Sequence, residues 1–310
     1  MKSNNLIYVA GHNGMVGSAI VRNLKQQGYT NLIMKSSSDL DLRDKQATED
    51  FFAQHKPKYV FLAAAKVGGI IANDNYGADF ISQNLAIQSN VIESSHQFGV
   101  KKLLFLGSSC IYPKLASQPM KEEALLTGEL EPTNLPYAIA KIAGKIMCDA
   151  YYKQYDFDAF TVMPPNVYGV GDNFHPEHSH VIAGLMYRFH QAKINKQDKI
   201  TCWGTGSPFR EFIYADDLGD ACVFLMKNYS KGGMINAGSS EEISIKQLAK
   251  TIAQIVGFEG ELIWDTSKPD GTPKKLMDNS KINQLGWKST TPLKKGLEAM
   301  YQWYLKSLQQ

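Results

Sequence analysis

Three features of the sequence predict an α/β fold: a doubly wound parallel sheet followed by a smaller C-terminal α/β domain. Short apolar runs alternate with stretches of helical periodicity as far as Met163. A glycine-spaced turn joins the first run to the first helix. The length, 310 residues with 44% hydrophobic composition, is enough for about two domains with sizeable cores.

In chain order, residues 6–10 (Leu-Ile-Tyr-Val-Ala) form the first strand, and Met15, Val16, Ala19, Ile20 and Leu24 recur at helical spacing after it. Further strand-like runs fall at 31–34, 59–63, 103–107 and 160–163, with helices between them at 45–55, 78–98 and 137–155. Strands alternating with helices imply a parallel sheet covered on both faces. Beyond Met163 the rhythm loosens. Pro164-Pro165-Asn166 and residues 169–180 read as long loops, of the kind that carry function in compact domains. A helix follows near 245–256, then a Pro/Gly-rich loop at 268–275 and a last helix near 293–305. The division falls near residue 165: a first domain over 1–165 and a substrate-binding domain over 166–310, with some later segments free to return to the first.

A formal charge of +3, scattered without a basic block, argues against a nucleic-acid partner and suits an anionic small molecule. No apolar run reaches the ~20 residues of a membrane span, and the N-terminus lacks the pattern of a secretory signal. A cytoplasmic enzyme is expected. Cys110, Cys148, Cys202 and Cys222 have neither metal-ligand nor disulfide-framework spacing, so reduced thiols and no metal are expected.

Gly11-His12-Asn13-Gly14-Met15-Val16-Gly17 lies at the first strand-to-helix junction. Glycines there permit a tight turn and let amides at the helix N-terminus approach a pyrophosphate, the Rossmann arrangement for dinucleotides. The second strand ends in Lys35-Ser36-Ser37-Ser38 before the first acid, Asp39. One cation and three hydroxyls in place of a ribose-binding acid favour NADP over NAD.

Tyr137-Ala138-Ile139-Ala140-Lys141 puts tyrosine and lysine on one helix face. An ammonium beside a phenol lowers its pKa and makes it a usable acid or base. Ser108 and Ser109 end the preceding strand, where a hydroxyl can hold a carbonyl oxygen. With Asp41-Leu42-Arg43-Asp44 and Leu62-Ala63-Ala64-Ala65, these motifs resemble the extended short-chain dehydrogenase/reductase superfamily. The resemblance makes Ser108, Tyr137 and Lys141 the catalytic group.

Longer motifs narrow it. Ala64-Ala65-Lys66-Val67-Gly68-Gly69-Ile70, Gly107-Ser108-Ser109-Cys110-Ile111-Tyr112-Pro113, Asp172-Asn173-Phe174 with His180-Val181, and Ser267-Lys268-Pro269-Asp270-Gly271 resemble the GDP-L-fucose synthase family. The likeness runs from about residue 6 to about residue 304. It implies 3,5-epimerisation of GDP-4-keto-6-deoxy-D-mannose, with Cys110 and His180 as acid and base on opposite sides of the ring. NADPH then reduces carbon 4 with a proton from Tyr137. It places the cofactor against Gly11, His12, Asn13, Gly14, Met15, Val16, Gly17, Ser37, Asp41, Leu42, Leu62, Ala63, Ala64, Leu106, Gly107, Lys141, Pro164, Asn166, Val167 and His180. The nucleotide sugar falls to Ser108, Ser109, Asn166, Arg188, Trp203, Arg210 and Asp270.

Read by themselves, Cys110 is a small buried hydrophobe, the histidines of 173–181 a polar loop, and Arg210 a surface ion pair with Glu211. Asn13 and Ser37 stand where bacterial members of the family carry arginines that grip the 2′-phosphate. Two other functions stay open at this stage: a related sugar-nucleotide epimerase or reductase with another substrate, and a non-catalytic NADP-binding sensor. The helix at 137–155 is apolar on several faces, which predicts burial on more than one side and a homodimer.

Overall fold

The computed structural model describes residues 1–176, 179–267 and 270–309. Glu177 and His178 of the histidine loop, and Lys268 and Pro269 of the last motif, lie outside the described residues. The first half runs β1 (Ile7–Ala10), α1 (Met15–Gln26), β2 (Leu32–Ile33), α2 (Lys45–His55), β3 (Tyr59–Leu62), α3 (Ile70–Asn75), α4 (Gly77–Gln97), β4 (Lys102–Leu106), α5 (Leu135–Tyr155) and β5 (Asp158–Met163). The second runs β6 (Asn166–Tyr168), α6 (Val181–Ile194), β7 (Lys199–Trp203), β8 (Phe209–Tyr214), α7 (Ala215–Asn228), β9 (Met234–Asn236), β10 (Glu242–Ser244), α8 (Ile245–Val256), β11 (Glu261–Asp265), β12 (Lys274–Lys275), α9 (Ser280–Gln284) and α10 (Leu293–Ser307).

The main sheet has the order β2-β1-β3-β4-β5-β9, and every pairing in it is parallel. Its strands β1, β3 and β4 are buried along their whole length because helices cover both faces. On one face α1 packs against α7 so closely that a Cβ on Gly219 would stand 2.7 Å from the Ala19 carbonyl carbon. On the other, α4 lies beside α5, with Gln88 donating to the Ala140 carbonyl at 2.6 Å.

The strand order reverses at β1, between β2 and β3 on either side, and a dinucleotide binds at such a switch point, beyond the carboxyl ends of the strands. Two smaller sheets, β10-β8-β12 with β6 on β8, and β11-β7, form the second lobe around Phe189, Ile200, Leu248, Ile252 and Leu297. α7 and β9 come from beyond residue 166 yet belong to the first sheet and its core.

The segment read as irregular after Met163 contains β6, α6, β7, β8 and α7. In α6 the buried Ile182, Leu185, Met186 and Phe189 follow helical spacing, so this helix was legible. In β8 it was not. Glu211 is fully buried in the middle of that strand, which removes the alternation that marks one.

Candidate active site

The glycine turn is shaped by close approach. Gly11 has φ +84°, and a Cβ on Gly17 would stand 2.0 Å from the Gly11 carbonyl oxygen. Gly11 in turn lies against the backbone of Ala64, 2.6 Å from its nitrogen to a notional Cβ. α1 therefore starts hard against the carboxyl ends of β1 and β3. The amides of its first turn lie outside the helix's own hydrogen-bond ladder. Bare backbone, small residues at Ala63 and Ala64, and aligned donors fit a dinucleotide pyrophosphate.

At the end of β2 the serines are joined to one another and to an acid. The Ser36 hydroxyl donates to Asp39 at 2.6 Å and shares a 2.7 Å hydrogen bond with the Ser38 hydroxyl. Asp39 is held below the usual carboxylate range by Ser36, so an anion sits among the serines. Ser36 and Ser38 are thereby engaged, leaving Lys35 and exposed Ser37 as the groups for a phosphate. Asp41 is clasped by the Arg43 guanidinium, with contacts from 2.7 Å, and sits at about 2. Leu42 is buried, and its carbonyl accepts from Asn90 at 2.9 Å.

Four catalytic candidates, Ser108, Cys110, Tyr137 and Lys141, meet at the end of β4. Ser108 caps the short 3-10 turn Ser109–Ile111 by accepting from the Cys110 N–H at 3.2 Å, and its side chain lies near enough to Tyr137 to pull the phenol's pKa down. Ser109 is buried, its N–H donating to the Pro164 carbonyl at 3.1 Å. Phe80 packs edge-on against Tyr137 with ring centroids 6.1 Å apart. Lys141 is 3% exposed; its ammonium nitrogen donates to the Leu106 carbonyl at 2.8 Å and lies 5.9 Å from the Tyr137 ring centroid.

The pKa relation differs from the expectation. Burial, with the Cys110 thiol adding to it, pushes the Tyr137 phenol up, against the pull of Ser108. Burial also brings Lys141 down to about 7. Desolvation disfavours both charged forms. A phenol that keeps its proton suits an acid.

Lys141 also sets a pH dependence of stability. Its amine ordinarily titrates near 10.5, so between pH 7 and 10.5 the unfolded chain binds the extra proton. The cost to the fold is complete below pH 7 and fades as the pH rises to 10.5. Lys141→Met is expected to raise Tm by about 5 °C at pH 6.5, with the gain shrinking toward pH 10. A gain that stays constant across that range in a thermal-denaturation series would contradict the buried amine.

His180 stands at the N-terminus of α6, exposed, with its backbone carbonyl accepting from Gly184 at 2.8 Å. Although the residue as a whole is exposed, partial desolvation of its imidazole lowers its pKa from the ordinary value. Among the described residues it makes no hydrogen bond to the Ser108–Tyr137 group. Asn166 is exposed and donates to the Glu211 carbonyl at 3.1 Å; Pro164 is buried beside it and Val167 half-buried.

The other four nucleotide-sugar candidates lie beside β7 and β8 in the second lobe. Arg188 donates to the Thr201 carbonyl, and Trp203, last in β7, is 64% exposed. Asp270 accepts from the Thr205 N–H at 2.9 Å and hydroxyl at 2.6 Å, next to Gly204, and Arg210 helps to lower its pKa. Arg210 donates to the Thr272 carbonyl at 2.6 Å. It makes no ion pair with Glu211, because neighbours along a strand face opposite ways. The Glu211 carboxylate is instead turned inward and accepts from Met277 N at 2.7 Å, Ser240 N at 2.8 Å and Asn279 at 3.1 Å. That clasp, which sequence reasoning missed, fixes the strand that presents Arg210.

A family model described as "NAD dependent epimerase/dehydratase family" matches residues 7–238. The chain belongs to that family. Within the NAD dependent epimerase/dehydratase family it is 60% identical over 304 residues to a putative GDP-L-fucose synthase 2 of Arabidopsis thaliana, covering 98% of this chain and 93% of that one. It is 50% identical to the GDP-L-fucose synthase of Escherichia coli (strain K12), with 98% of each chain covered. Among solved structures, a GDP-L-fucose synthetase from Naegleria fowleri bound to NADP superposes with a TM-score of 0.93 at 31% identity, covering 100% and 95% of the two chains. A GDP-mannoheptose C4 reductase from Campylobacter jejuni with NADP bound gives 0.90 at 42%, over 98% and 99%. Among the described residues no helix is long and apolar enough to cross a membrane.

Proposed function

We propose that this chain converts GDP-4-keto-6-deoxy-D-mannose to GDP-L-fucose in the cytoplasm, by epimerisation at carbons 3 and 5 followed by NADPH-dependent reduction at carbon 4. The observation that carries the reading is the site's inventory. A reductase needs Ser108, Tyr137 and Lys141; Cys110 on the adjoining turn and His180 are a second acid/base pair that reduction alone does not use. Relatives at 50–60% identity that carry the GDP-L-fucose synthase name support it.

Each proton removed lies α to the ketone, so the carbanion delocalises on to the ketone oxygen, where Ser108 and Tyr137 supply hydrogen bonds. Cys110 and His180 remove and return those protons from opposite faces of the ring. NADPH supplies the hydride. Tyr137 then donates its proton to the carbon-4 oxygen, and Lys141 holds the nicotinamide ribose. Arg188 and Arg210 bind diphosphate, and the exposed Trp203 face packs against the nucleotide.

Protein, NADPH and the 4-keto sugar nucleotide are expected to show decay of nicotinamide absorbance with GDP-L-fucose as product. Folded protein that leaves the absorbance unchanged would overturn the proposal. The preference for NADPH over NADH in kcat/KM is expected to be about tenfold, because Lys35 and Ser37 face a phosphate with the Asp39 anion close by. Equal values would remove Lys35 from that role.

The assembly proposed is a homodimer through α4 and α5. Ile139 and Ile146, two turns apart on α5, are 39% and 44% exposed, an apolar stripe that a second copy would cover. Light scattering at micromolar concentration is expected to give twice the chain mass, and Ile146→Glu half of that; a wild-type monomer would contradict it.

A further inference from the structure

Lys141 is buried without an anion beside it. Lys102, a buried lysine of β4, shows the ordinary solution. The Asp158 carboxylate lies 3.6 Å from its ammonium, with the Ser230 hydroxyl at 3.1 Å and the Phe160 ring centroid at 5.2 Å. Buried charges are normally paired in this way, because an isolated one is costly to desolvate. Lys141 has instead the Leu106 carbonyl at 2.8 Å and the face of Phe105, whose ring centroid is 4.7 Å from the ammonium nitrogen. A ring face is negative and attracts a cation over it, most strongly where water is excluded.

Packing fixes that ring. Phe105 is buried on β4, and α5 leaves a gap for it at Gly144, where a Cβ would stand 2.6 Å from the ring's Cε1 and Cζ. Gly144 lies three residues beyond Lys141, on the same helix face. The ring edge is therefore wedged at the glycine while its face meets the ammonium. The charges of the surrounding elements are engaged elsewhere. On α4, Asp79 pairs with Lys66 and Glu93 with Lys45, and Gln88 is the residue that reaches α5 beside Lys141, at the Ala140 carbonyl. On β5, Asp158 serves Lys102 at the opposite end of the strand from Leu106. On α5 itself Lys145 pairs with Asp149, and Tyr137, with Cys110 beside it, is the titratable neighbour. No charge reaches the amine, and burial lowers it to about 7.

We propose that Phe105 is a positioning residue for the reduction: its ring face stands in for an anion and holds the Lys141 ammonium, charged, at the end of β4. This rests on the reaction proposed above, in which Lys141 holds the nicotinamide ribose, and it adds the group that holds Lys141. A carboxylate in that place would neutralise the cation and take up its N–H groups. A ring face does neither. An ammonium has three donors, so with one on the Leu106 carbonyl two are left for ribose hydroxyls. The attraction acts on the charged form alone, so weakening it lowers the pH at which the amine loses its proton.

In the test, Phe105 is replaced by 4-fluoro-, 3,5-difluoro- and pentafluorophenylalanine, which drain the ring face in steps while nearly keeping its shape. NMR of lysine labelled with carbon-13 at Cε follows the amine in the free protein, with Lys141→Met to assign its signal. The titration midpoint is expected to fall stepwise, by about one pH unit at the pentafluoro ring. At pH 8, NADPH oxidation with the 4-keto substrate is expected to fall about tenfold across the series. Deuterium exchange at carbons 3 and 5, which does not use Lys141, is expected to stay near wild type. Phe105→Leu, which loses the ring outright, is expected to match the pentafluoro protein in all three measurements. A midpoint indifferent to fluorine number, or reduction and exchange falling together with the midpoint unmoved, would overturn the proposal. Folded wild type that leaves NADPH unoxidised would overturn the reading of the reaction instead, and the midpoint series, read in the free protein, still decides the contact between Phe105 and Lys141.

Discussion

Cys110→Ser and His180→Gln are each expected to slow deuterium wash-in from heavy water at carbons 3 and 5 by ~10²–10⁴-fold, the usual worth of a positioned acid or base. Serine preserves the shape of Cys110, on its turn beside Ser108, but replaces a thiol with a hydroxyl of far higher pKa, so the loss is chemical rather than steric. His180 has the complementary character. Its lowered pKa keeps the imidazole neutral at pH 7, the form that accepts a proton. Wash-in that needs this base is therefore expected to hold at neutral pH and fall once the pH drops through the lowered value. Mass spectrometry of the recovered sugar nucleotide resolves the two positions. Full exchange at both carbons in Cys110→Ala/His180→Ala would move epimerisation to other residues.

The parts of this site that depend on local backbone geometry were legible in the sequence, and those set by tertiary packing were not. Gly11 and Gly17 announce close approach, and the structure gives the reason, 2.0 Å from a Gly17 Cβ to the Gly11 oxygen. Tyr137 and Lys141 share a face because four residues make about one helical turn. The resemblance, not spacing, named Cys110 and His180. At the serine run the structure adds an exposed acid, Asp39, that accepts from the Ser36 hydroxyl. Glu211 gives no local signal, since a buried carboxylate reads in sequence as a surface one. The pKa order of Tyr137 and Lys141 was also hidden, because desolvation depends on elements as distant in sequence as Phe80 and Phe105.

Tyr137→Phe is expected to separate the two halves of the reaction. NADPH oxidation with the 4-keto substrate should fall by at least ~10²-fold, because the substitution removes the proton that must reach the carbon-4 oxygen as hydride arrives. Deuterium exchange at carbons 3 and 5 should persist, since the Cys110 thiol and His180 imidazole are untouched. Some slowing of exchange is consistent with this, because in the proposed reaction the phenol and Ser108 both serve the oxygen on which the enolate builds charge. Ser108→Ala supplies the comparison. Loss of the same oxygen contact with the acid retained should depress exchange and reduction together, whereas Tyr137→Phe depresses reduction far more. The raised pKa of Tyr137 adds a sign: the wild-type acid stays protonated through neutral pH, so reduction should not fall between pH 6 and 8 for want of that proton. Equal loss of exchange and reduction in Tyr137→Phe, with Tm unchanged, would place the phenol in epimerisation as well and leave Cys110 and His180 without a separate role.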